Sequence, residues 1–163
     1  MDKNDFIIKD FTIGYFKEYI NLLNKIILEK KWLGTNTPYT YSSSYSYLCS
    51  RVESGHPFIL IFINEDLIGW ADVDRYSNKI GLLGIGIRAD YRNKGIGKYL
   101  LELIINKSKK YGYERLDLRV RVKNERAIEL YKKMGFKETE YIENGLYLDR
   151  EKIDIIRMSL ELK

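Results

Sequence analysis

Residues 83–102 read Leu-Gly-Ile-Gly-Ile-Arg-Ala-Asp-Tyr-Arg-Asn-Lys-Gly-Ile-Gly-Lys-Tyr-Leu-Leu-Glu, and this stretch decides the fold. Its first part alternates apolar residues with glycine or arginine, which is the period-two pattern of a β-strand. Its last part begins a series of isoleucines and leucines at helical spacing that runs from Ile96 to Ile105. The segment Arg92–Gly97 joins the two patterns. We therefore expect a strand, a short turn and a helix in direct succession.

The turn has the composition of a phosphate-binding loop. Gly95 and Gly97 carry no Cβ, so backbone N–H groups there can approach an anion closely. The free N–H groups of the first helical turn add the positive end of the helix dipole. Arg92, Lys94 and Lys98 add positive charge around the same point. A tight strand-to-helix turn with lysines for solubility has the same pattern, so this stretch alone leaves both interpretations open.

A second motif lies further along the chain, where residues 124–136 read Asn-Glu-Arg-Ala-Ile-Glu-Leu-Tyr-Lys-Lys-Met-Gly-Phe. Together with Arg92-x-x-Gly95-x-Gly97, it resembles the two successive signatures of the GCN5-related N-acetyltransferases, the GNAT family. The first signature is an acyl-CoA pyrophosphate loop, and the second is an Asn, then Ala, then Leu-Tyr, then Gly-Phe. Two motifs in the right order and spacing are far more specific than either one, and the resemblance is sharp over residues 80–137.

The resemblance implies acetyl-CoA as a co-substrate, with no metal. The coenzyme-binding residues that it implies lie on the strand, on the turn, at the start of the helix and at the head of the second motif. They are Ile85, Ile87, Arg92, Asn93, Lys94, Gly95, Ile96, Gly97, Lys98 and Asn124. The backbone of the strand matches the positions that bind the pantetheine arm and polarise the thioester carbonyl. Ala89 stands where the family often has proline, a mild departure that leaves the loop intact.

The first half of the chain supplies a strand, two helices and an antiparallel meander. Residues 6–11 read as a strand, and a helix over 13–30 follows with Thr12 as its N-cap. A second helix is expected over 42–53. The apolar runs 58–63 and 67–73 then join the strand of the opening stretch through short polar turns.

The second half completes a mixed sheet. A strand over 115–122 follows the central helix, which makes a parallel pair with a right-handed crossover. Asn124 caps the next helix and Gly135 ends it. Two last strands, 136–142 and 153–162, flank an Asn144-Gly145 turn signal. The expected fold class is α+β: one GNAT-like domain over residues 1–163, with a mostly antiparallel sheet and helices on both faces in three α/β/α layers.

Two residues are the catalytic candidates, Tyr131 and Asp72. By resemblance, Tyr131 matches the tyrosine whose hydroxyl protonates the departing thiolate, although its helical spacing also fits a core residue. The general base is open, because the ribosomal-protein alanine acetyltransferases carry a glutamate where this chain has Arg119. Asp72 and Asp74, which alternation puts on one face of a strand, or a chain of water molecules are the alternatives for this role.

The expected function is that of an acyltransferase. An acetyl-CoA-dependent N-acetyltransferase would move the acetyl group to a primary amine by direct attack in a ternary complex. Amino acids, polyamines, aminoglycosides and peptide N-termini all remain open as acceptors. Specificity is expected to lie in the last two strands and in the poorly patterned stretch Trp32–Tyr47, where the resemblance puts the acceptor pocket. A non-catalytic acyl-CoA sensor on the same fold is the alternative. The identity of the acyl chain, acetyl or longer, is also open.

Composition limits the other classes of function. The chain has 163 residues, 45% of them hydrophobic, which is ordinary for one globular domain. We expect a cytoplasmic protein, since no long apolar run is present and the first five residues lack the pattern of a signal peptide. The net charge of +5 favours anionic ligands and permits nucleic acid, but the lysines are scattered and we expect no nucleic-acid or membrane partner. A homodimer is allowed by the resemblance.

Overall fold

The computed structural model describes residues 6–162, and the expectation about a signal peptide falls on residues outside that range. The strands are β1 (Phe6–Asp10), β2 (Phe58–Ile63), β3 (Asp66–Arg75), β4 (Ile80–Ile87), β5 (Arg115–Arg121), β6 (Lys137–Leu148) and β7 (Glu151–Glu161). The α-helices are α1 (Phe16–Ile27), α2 (Tyr41–Ser54), α3 (Ile96–Tyr111) and α4 (Glu125–Lys133). The strands form one seven-stranded sheet in the order β1-β2-β3-β4-β5-β7-β6. The predicted α+β fold class is confirmed.

The parallel pair β4 and β5 separates soon after it forms. The two strands pair at Ile80–Leu82 and Arg115–Asp117, and the pairing stops there although both strands continue. The remaining strand pairs among residues 6–162 are antiparallel. An opening therefore lies at the carboxyl ends of the two parallel strands, which is where open α/β sheets bind ligands.

Helices cover both faces of the sheet, as the sequence predicted. One core packs α3 and α4 against the sheet around Leu100, Ile104 and Leu116, which are fully buried. The other packs α1 against the opposite face around Leu60 and Trp70. None of the helices in residues 6–162 is long and apolar enough to cross a membrane.

Most of the predicted helix ends are present in the structure. The side chain of Asn124 accepts a hydrogen bond from the Ala127 N–H at 3.4 Å and caps α4. Gly135 lies two residues after the last residue of α4 and has a φ of 93°, in the left-handed region that glycine adopts without strain. The prediction at Thr12 was wrong: its side chain makes no capping bond, and a 3₁₀ turn at Ile13–Tyr15 precedes α1. The first helix is accordingly shorter than predicted at both ends.

The predicted turn at Asn144-Gly145 is also wrong, because that dipeptide lies inside β6. The hairpin turns at Asp149 and Arg150, whose φ angles are 50° and 68°. Asn144 and Gly145 instead form a bulge, since the register against β7 shifts between Ile142 and Leu146. The alternating residues after the bulge extend the strand, and the Asn144 N–H donates to Asp154 Oδ1 at 2.7 Å. A positive φ at asparagine suits a bulge as well as a turn.

Gly145→Ala tests this bulge. A Cβ at Gly145 would lie 2.5 Å from Ile155 Cγ1, so the β6–β7 hairpin must shift. We expect a loss of about 1–3 kcal/mol in the free energy of unfolding, with Tm falling by about 2–4 °C per kcal/mol in thermal unfolding followed by circular dichroism. Gly34→Ala is the matched control, because its Cβ would have nothing within 4 Å. Equal losses in the two variants would contradict the assignment of Asn144 and Gly145 to a bulge that packs against Ile155.

Candidate active site

A cavity of about 620 Å³ occupies the opening between β4 and β5. It is walled by the end of β4, the turn that follows, the start of α3 and one side of α4. All of the predicted coenzyme residues line it except Lys94 and Ile96. Tyr131 lines it as well. Two motifs that are far apart in the sequence thus meet around one cavity.

The backbone of β4 offers hydrogen-bonding groups to this cavity. The Arg88 N–H donates to Ile68 O at 2.8 Å, and the same ladder pairs Gly86 with Trp70. Hydrogen bonds in an antiparallel ladder go to alternate residues, so Ile85 and Ile87 direct their N–H and C=O groups away from β3. On that side β5 has already separated. A ligand lying along β4 can therefore take the place of a missing strand.

The turn before α3 contains two residues with a positive φ and leads into a helix whose first turn has free backbone N–H groups. Gly95 has a φ of 81° and precedes the first residue of the helix, whose first-turn N–H groups have no partners within the helix. Asn93 also has a positive φ, 62°, and its Oδ1 accepts from Arg126 Nη1 at 3.0 Å. Gly97 lies where a Cβ would be 3.0 Å from Leu130 Cδ2, which lets α3 begin close to α4.

Three of the predicted coenzyme residues have side chains that contact other parts of the protein or are buried in the core. The Arg92 guanidinium binds Glu29 with two hydrogen bonds of 2.6 Å and donates from Nε to Ile87 O at 2.8 Å. Lys94 lies over the Tyr91 ring, 5.2 Å from its centroid. Ile96 is buried in the core at 1% exposure, so only its backbone can reach a ligand. Lys98 remains at the cavity, 3.8 Å from Glu102.

Tyr131 lies on α4 with its side chain largely removed from water. It is 9% exposed, and its ring contacts Phe136 at a centroid distance of 5.8 Å. Burial raises the pKa of its hydroxyl to about 12. The phenol therefore stays protonated at neutral pH and can donate a hydrogen bond into the cavity.

A second cavity of about 610 Å³ lies on the α1 and α2 side of the sheet. Its lining is mostly aromatic and apolar, with one carboxylate, Asp72. The aromatic residues are Tyr19, Tyr39, Tyr47 and Trp70. Leu33 and Ile85 line both cavities, so the two spaces meet at the middle of β4.

Glycines on β4 make room for the floor of the second cavity. A Cβ at Gly84 would lie 2.7 Å from Asp72 Oδ1, and one at Gly86 would lie 2.1 Å from the Trp70 ring. Side chains from β3 therefore lie flat across β4 and reach toward the opening. The Gly-x-Gly pattern was read in the sequence only as part of a strand, and its role is to admit these two side chains.

Asp72 shares a buried cation with Asp74. The Arg51 guanidinium is 4% exposed, lies 3.3 Å from each carboxylate and donates to Val73 O at 2.8 Å. The prediction that the two aspartates share a face is confirmed. Burial raises the pKa of Asp72 to about 6, against the opposing effect of Arg51. Tyr47 donates to Asp74 Oδ2 at 2.6 Å, which leaves Asp72 as the carboxylate that faces the cavity.

The loop between α1 and α2 is fastened from β5. Arg121 is 6% exposed and donates to the carbonyls of Lys30 and Leu33 and to Asn36 Oδ1. From the hairpin turn, Asp149 Oδ2 accepts from Lys30 Nζ at 2.9 Å and from Asn36 Nδ2 at 3.0 Å. These contacts hold the segment that carries Leu33, which both cavities share.

Sequence reasoning missed several residues that shape the site. Glu29 and Arg121 act across the α1–α2 loop, and no local pattern marks them. Trp32, which the sequence analysis grouped with the acceptor pocket, lines the first cavity and not the second. Arg126 could have been found, since it follows Asn124 within the second motif and lines the first cavity. Within residues 6–162, no group of three or more His, Cys, Asp or Glu side chains is arranged to hold a metal.

The chain is similar in sequence to a known protein family and to individual N-acetyltransferases. The model of the Acetyltransferase (GNAT) family matches residues 24–136. An uncharacterized N-acetyltransferase of Methanocaldococcus jannaschii is 31% identical over 144 residues, which cover 84% of this chain and 59% of that relative. The matched region thus spans little more than half of the relative's length.

Solved structures share the fold at low sequence identity. The N-acetyltransferase from Staphylococcus aureus Mu50 has a TM-score of 0.90 at 22% identity and covers 97% of this chain and 99% of its own. A Salmonella typhimurium protein solved with its cofactor acetyl-CoA has a TM-score of 0.89 at 16% identity, covering 97% of this chain and 94% of its own. At these identities the likeness shows the fold alone.

Arg121→Lys tests how the α1–α2 loop is held. Lysine cannot donate to several carbonyls in a fixed fork, so amides over residues 30–36 should exchange hydrogen at least about tenfold faster while α3 and β4 stay protected. Hydrogen exchange followed by mass spectrometry measures this. Arg119→Lys is the control on the same strand, because Arg119 is exposed and the contacts described for residues 6–162 include none from its side chain. Equal exchange in both variants would rule out the clamp.

Proposed function

Because the chain belongs to the acetyltransferase (GNAT) family, we propose that it transfers the acetyl group of acetyl-CoA to a primary amine. One domain over residues 1–163 carries the activity, and the two cavities are the sites of the two substrates. The observation that carries this proposal is that the cavities meet at Leu33 and Ile85. An amine in one cavity can then reach a thioester in the other directly.

The coenzyme belongs in the cavity between β4 and β5. The first-turn N–H groups of α3, together with Gly95 and Gly97, suit its pyrophosphate, with Lys98 and Arg126 as the nearby cations. The outward-facing N–H and C=O groups of Ile85, and the N–H of Ile87, suit its pantetheine arm. Ile87 O already accepts from Arg92, so that carbonyl is not counted among the coenzyme contacts.

The acetyl group passes directly from sulfur to nitrogen. As the C–N bond forms, charge develops on the carbonyl oxygen, and a β4 backbone N–H stabilises it by a hydrogen bond. When the C–S bond breaks, the Tyr131 hydroxyl gives its proton to the leaving thiolate, and Tyr131 later regains a proton from solvent while Asp72 releases one to solvent. Asp72, largely ionised above pH 6, accepts the proton that the amine loses. No acetylated side chain is needed.

The acceptor cavity suits an amine that arrives with a positive charge. The faces of Tyr19, Tyr39, Tyr47 and Trp70 attract cations, and Asp72 adds negative charge at the floor. Asp72 then removes the proton at the place where the neutral amine is needed. An assay against several classes of primary amine would identify the acceptor.

Turnover should be measured as thiol release from acetyl-CoA against amino acids, polyamines, aminoglycosides and short peptides, with Tyr131→Phe beside the native protein. We expect kcat to fall by about 10²-fold or more in the variant, because a positioned proton donor contributes about 10²–10⁴-fold. The Kd for CoA should stay within about threefold, since the phenyl ring still fills its place. Coenzyme binding without turnover on any amine would favour the non-catalytic sensor.

The pH dependence tests the base. In the free enzyme, log(kcat/KM) should rise with pH and level off above an apparent pKa near 6, because Asp72 must be ionised to accept a proton. Asp72→Asn should remove this acid limb and lower the plateau by about 10²-fold.

Asp74→Asn is the matched control, since it also takes one carboxylate from Arg51. The Asp74→Asn variant should keep the acid limb of the pH profile of log(kcat/KM). If Asp74→Asn removes the limb and Asp72→Asn keeps it, the assignment of Asp72 as the base is wrong.

A further inference from the structure

Glu29 lies just beyond α1 and does not line the coenzyme cavity, yet both of its side-chain partners do. Its carboxylate accepts from both terminal nitrogens of Arg92 at 2.6 Å and from Trp32 Nε1 at 2.5 Å. The Arg92 guanidinium also lies over the Trp32 ring, 5.4 Å from its centroid. One carboxylate thus fixes two walls of the cavity that come from different parts of the chain.

The pair is geometrically strong. Two parallel N–H···O bonds join the planar guanidinium to the carboxylate, an arrangement that is both stronger and more directional than a single ion pair. The side chains are only 27% and 25% exposed, so water screens them incompletely. Hydrogen bonding from Arg92 holds the pKa of Glu29 below its usual value, which keeps the carboxylate ionised at neutral pH.

Arg92 is occupied by contacts within the protein. Its Nε donates to Ile87 O at 2.8 Å, and its terminal nitrogens donate to Glu29. These bonds tie the turn before α3 to the end of β4 and to the end of α1. The arginine of the first motif therefore braces the loop, while backbone groups and other cations are left to meet the phosphates.

We propose that Glu29 is a positioning residue for the coenzyme, acting through Arg92 on the phosphate turn and through Trp32 on the wall beside it. This inference rests on the proposed function, since it assumes that the cavity takes the coenzyme. It predicts that loss of the carboxylate weakens coenzyme binding even though a negative charge near phosphates is removed.

If Glu29 had a simpler role, the neutralisation of Arg92, its loss would change the affinity for the coenzyme in the opposite direction. If Glu29 only neutralises Arg92, then Glu29→Gln frees a cation for the phosphates and binding tightens. Glu29→Asp sharpens this contrast, because it keeps the charge but is too short to hold Arg92 and Trp32 at once. Positioning predicts weaker binding in both variants, whereas neutralisation predicts that Glu29→Asp binds as the native protein does.

The experiment is calorimetric titration with CoA of the native protein, Glu29→Gln, Glu29→Asp, Arg92→Gln and the Glu29→Gln/Arg92→Gln double variant. We expect a Kd about tenfold higher in each single variant, the scale of a lost charge-assisted pair. The double variant should be no weaker than the weaker single variant, since both substitutions break the same contact. Glu114→Gln, which removes the exposed partner of Lys79, is the control and should leave the Kd unchanged.

A second readout separates positioning from loss of stability. With an acceptor found in the panel above, Glu29→Gln should raise the KM for acetyl-CoA while kcat stays within about threefold. In a Trp70→Phe background Trp32 is the remaining tryptophan, and its emission should shift to longer wavelength when Glu29 is replaced.

The outcomes are distinguishable. If the native protein binds no CoA, the proposed function fails and this inference fails with it. If the native protein binds CoA and Glu29→Gln binds it equally well or more tightly, the proposed function stands and the positioning role is wrong.

Discussion

The separation of β4 from β5 is the constraint on which the rest of the site depends. Two parallel strands that stayed paired would leave no free backbone groups and no cavity. Here the pairing ends at Leu82 and Asp117, and the N–H and C=O groups of Ile85, together with the N–H of Ile87, face the gap without a partner strand, while Ile87 O accepts from Arg92. Such groups are costly to leave without hydrogen-bond partners, so a ligand that satisfies them gains affinity from backbone geometry alone. Sheet topology therefore creates this opening before any side chain is considered.

The second cavity also depends on β4, but through its glycines and not through its backbone hydrogen-bonding groups. On its other face β4 carries Gly84 and Gly86, and each leaves space for a side chain of β3. Asp72 and Trp70 occupy that space and so lie within reach of the gap. The edge of β4 thus borders one cavity, and the space left by its two glycines holds the side chains that line the other. The spacing of two residues between the glycines is what makes both possible, because alternate residues share a face.

The sequence was sufficient to predict those features of the fold that depend on local patterns of residues. Alternation, helical spacing and capping residues such as Asn124 predicted the order of elements, and the two motifs predicted which segments meet. It was insufficient where one local signal has two structural uses. Asn144 adopts a positive φ in a bulge as readily as in a turn, and only the register with β7 decides between them.

Long-range contacts set a second limit on what the sequence could predict. Glu29 and Arg92 are 63 residues apart, and Arg121 lies 88 residues from Leu33. No periodicity links such pairs, because their contact arises from the way α1 and β5 pack on the sheet. The role of Arg92 in the first motif was predicted from its charge and from the resemblance, and neither could reveal that Arg92 already had a partner within the protein.

The arginines around the site show how the charge of the chain is used. Arg51, Arg92 and Arg121 are engaged by aspartates, by Glu29 and by backbone carbonyls respectively. Their planar donor groups suit such fixed contacts, which lysine cannot reproduce. Lys98 and Arg126 remain at the coenzyme cavity, with Lys98 66% exposed on its side chain. An anion bound at this site would then be held chiefly by the helix N-terminus and by backbone N–H groups, whose direction is set by the fold. The net charge of +5 consequently says less about the ligand than the geometry of the turn does, since these three arginines are committed to contacts within the protein.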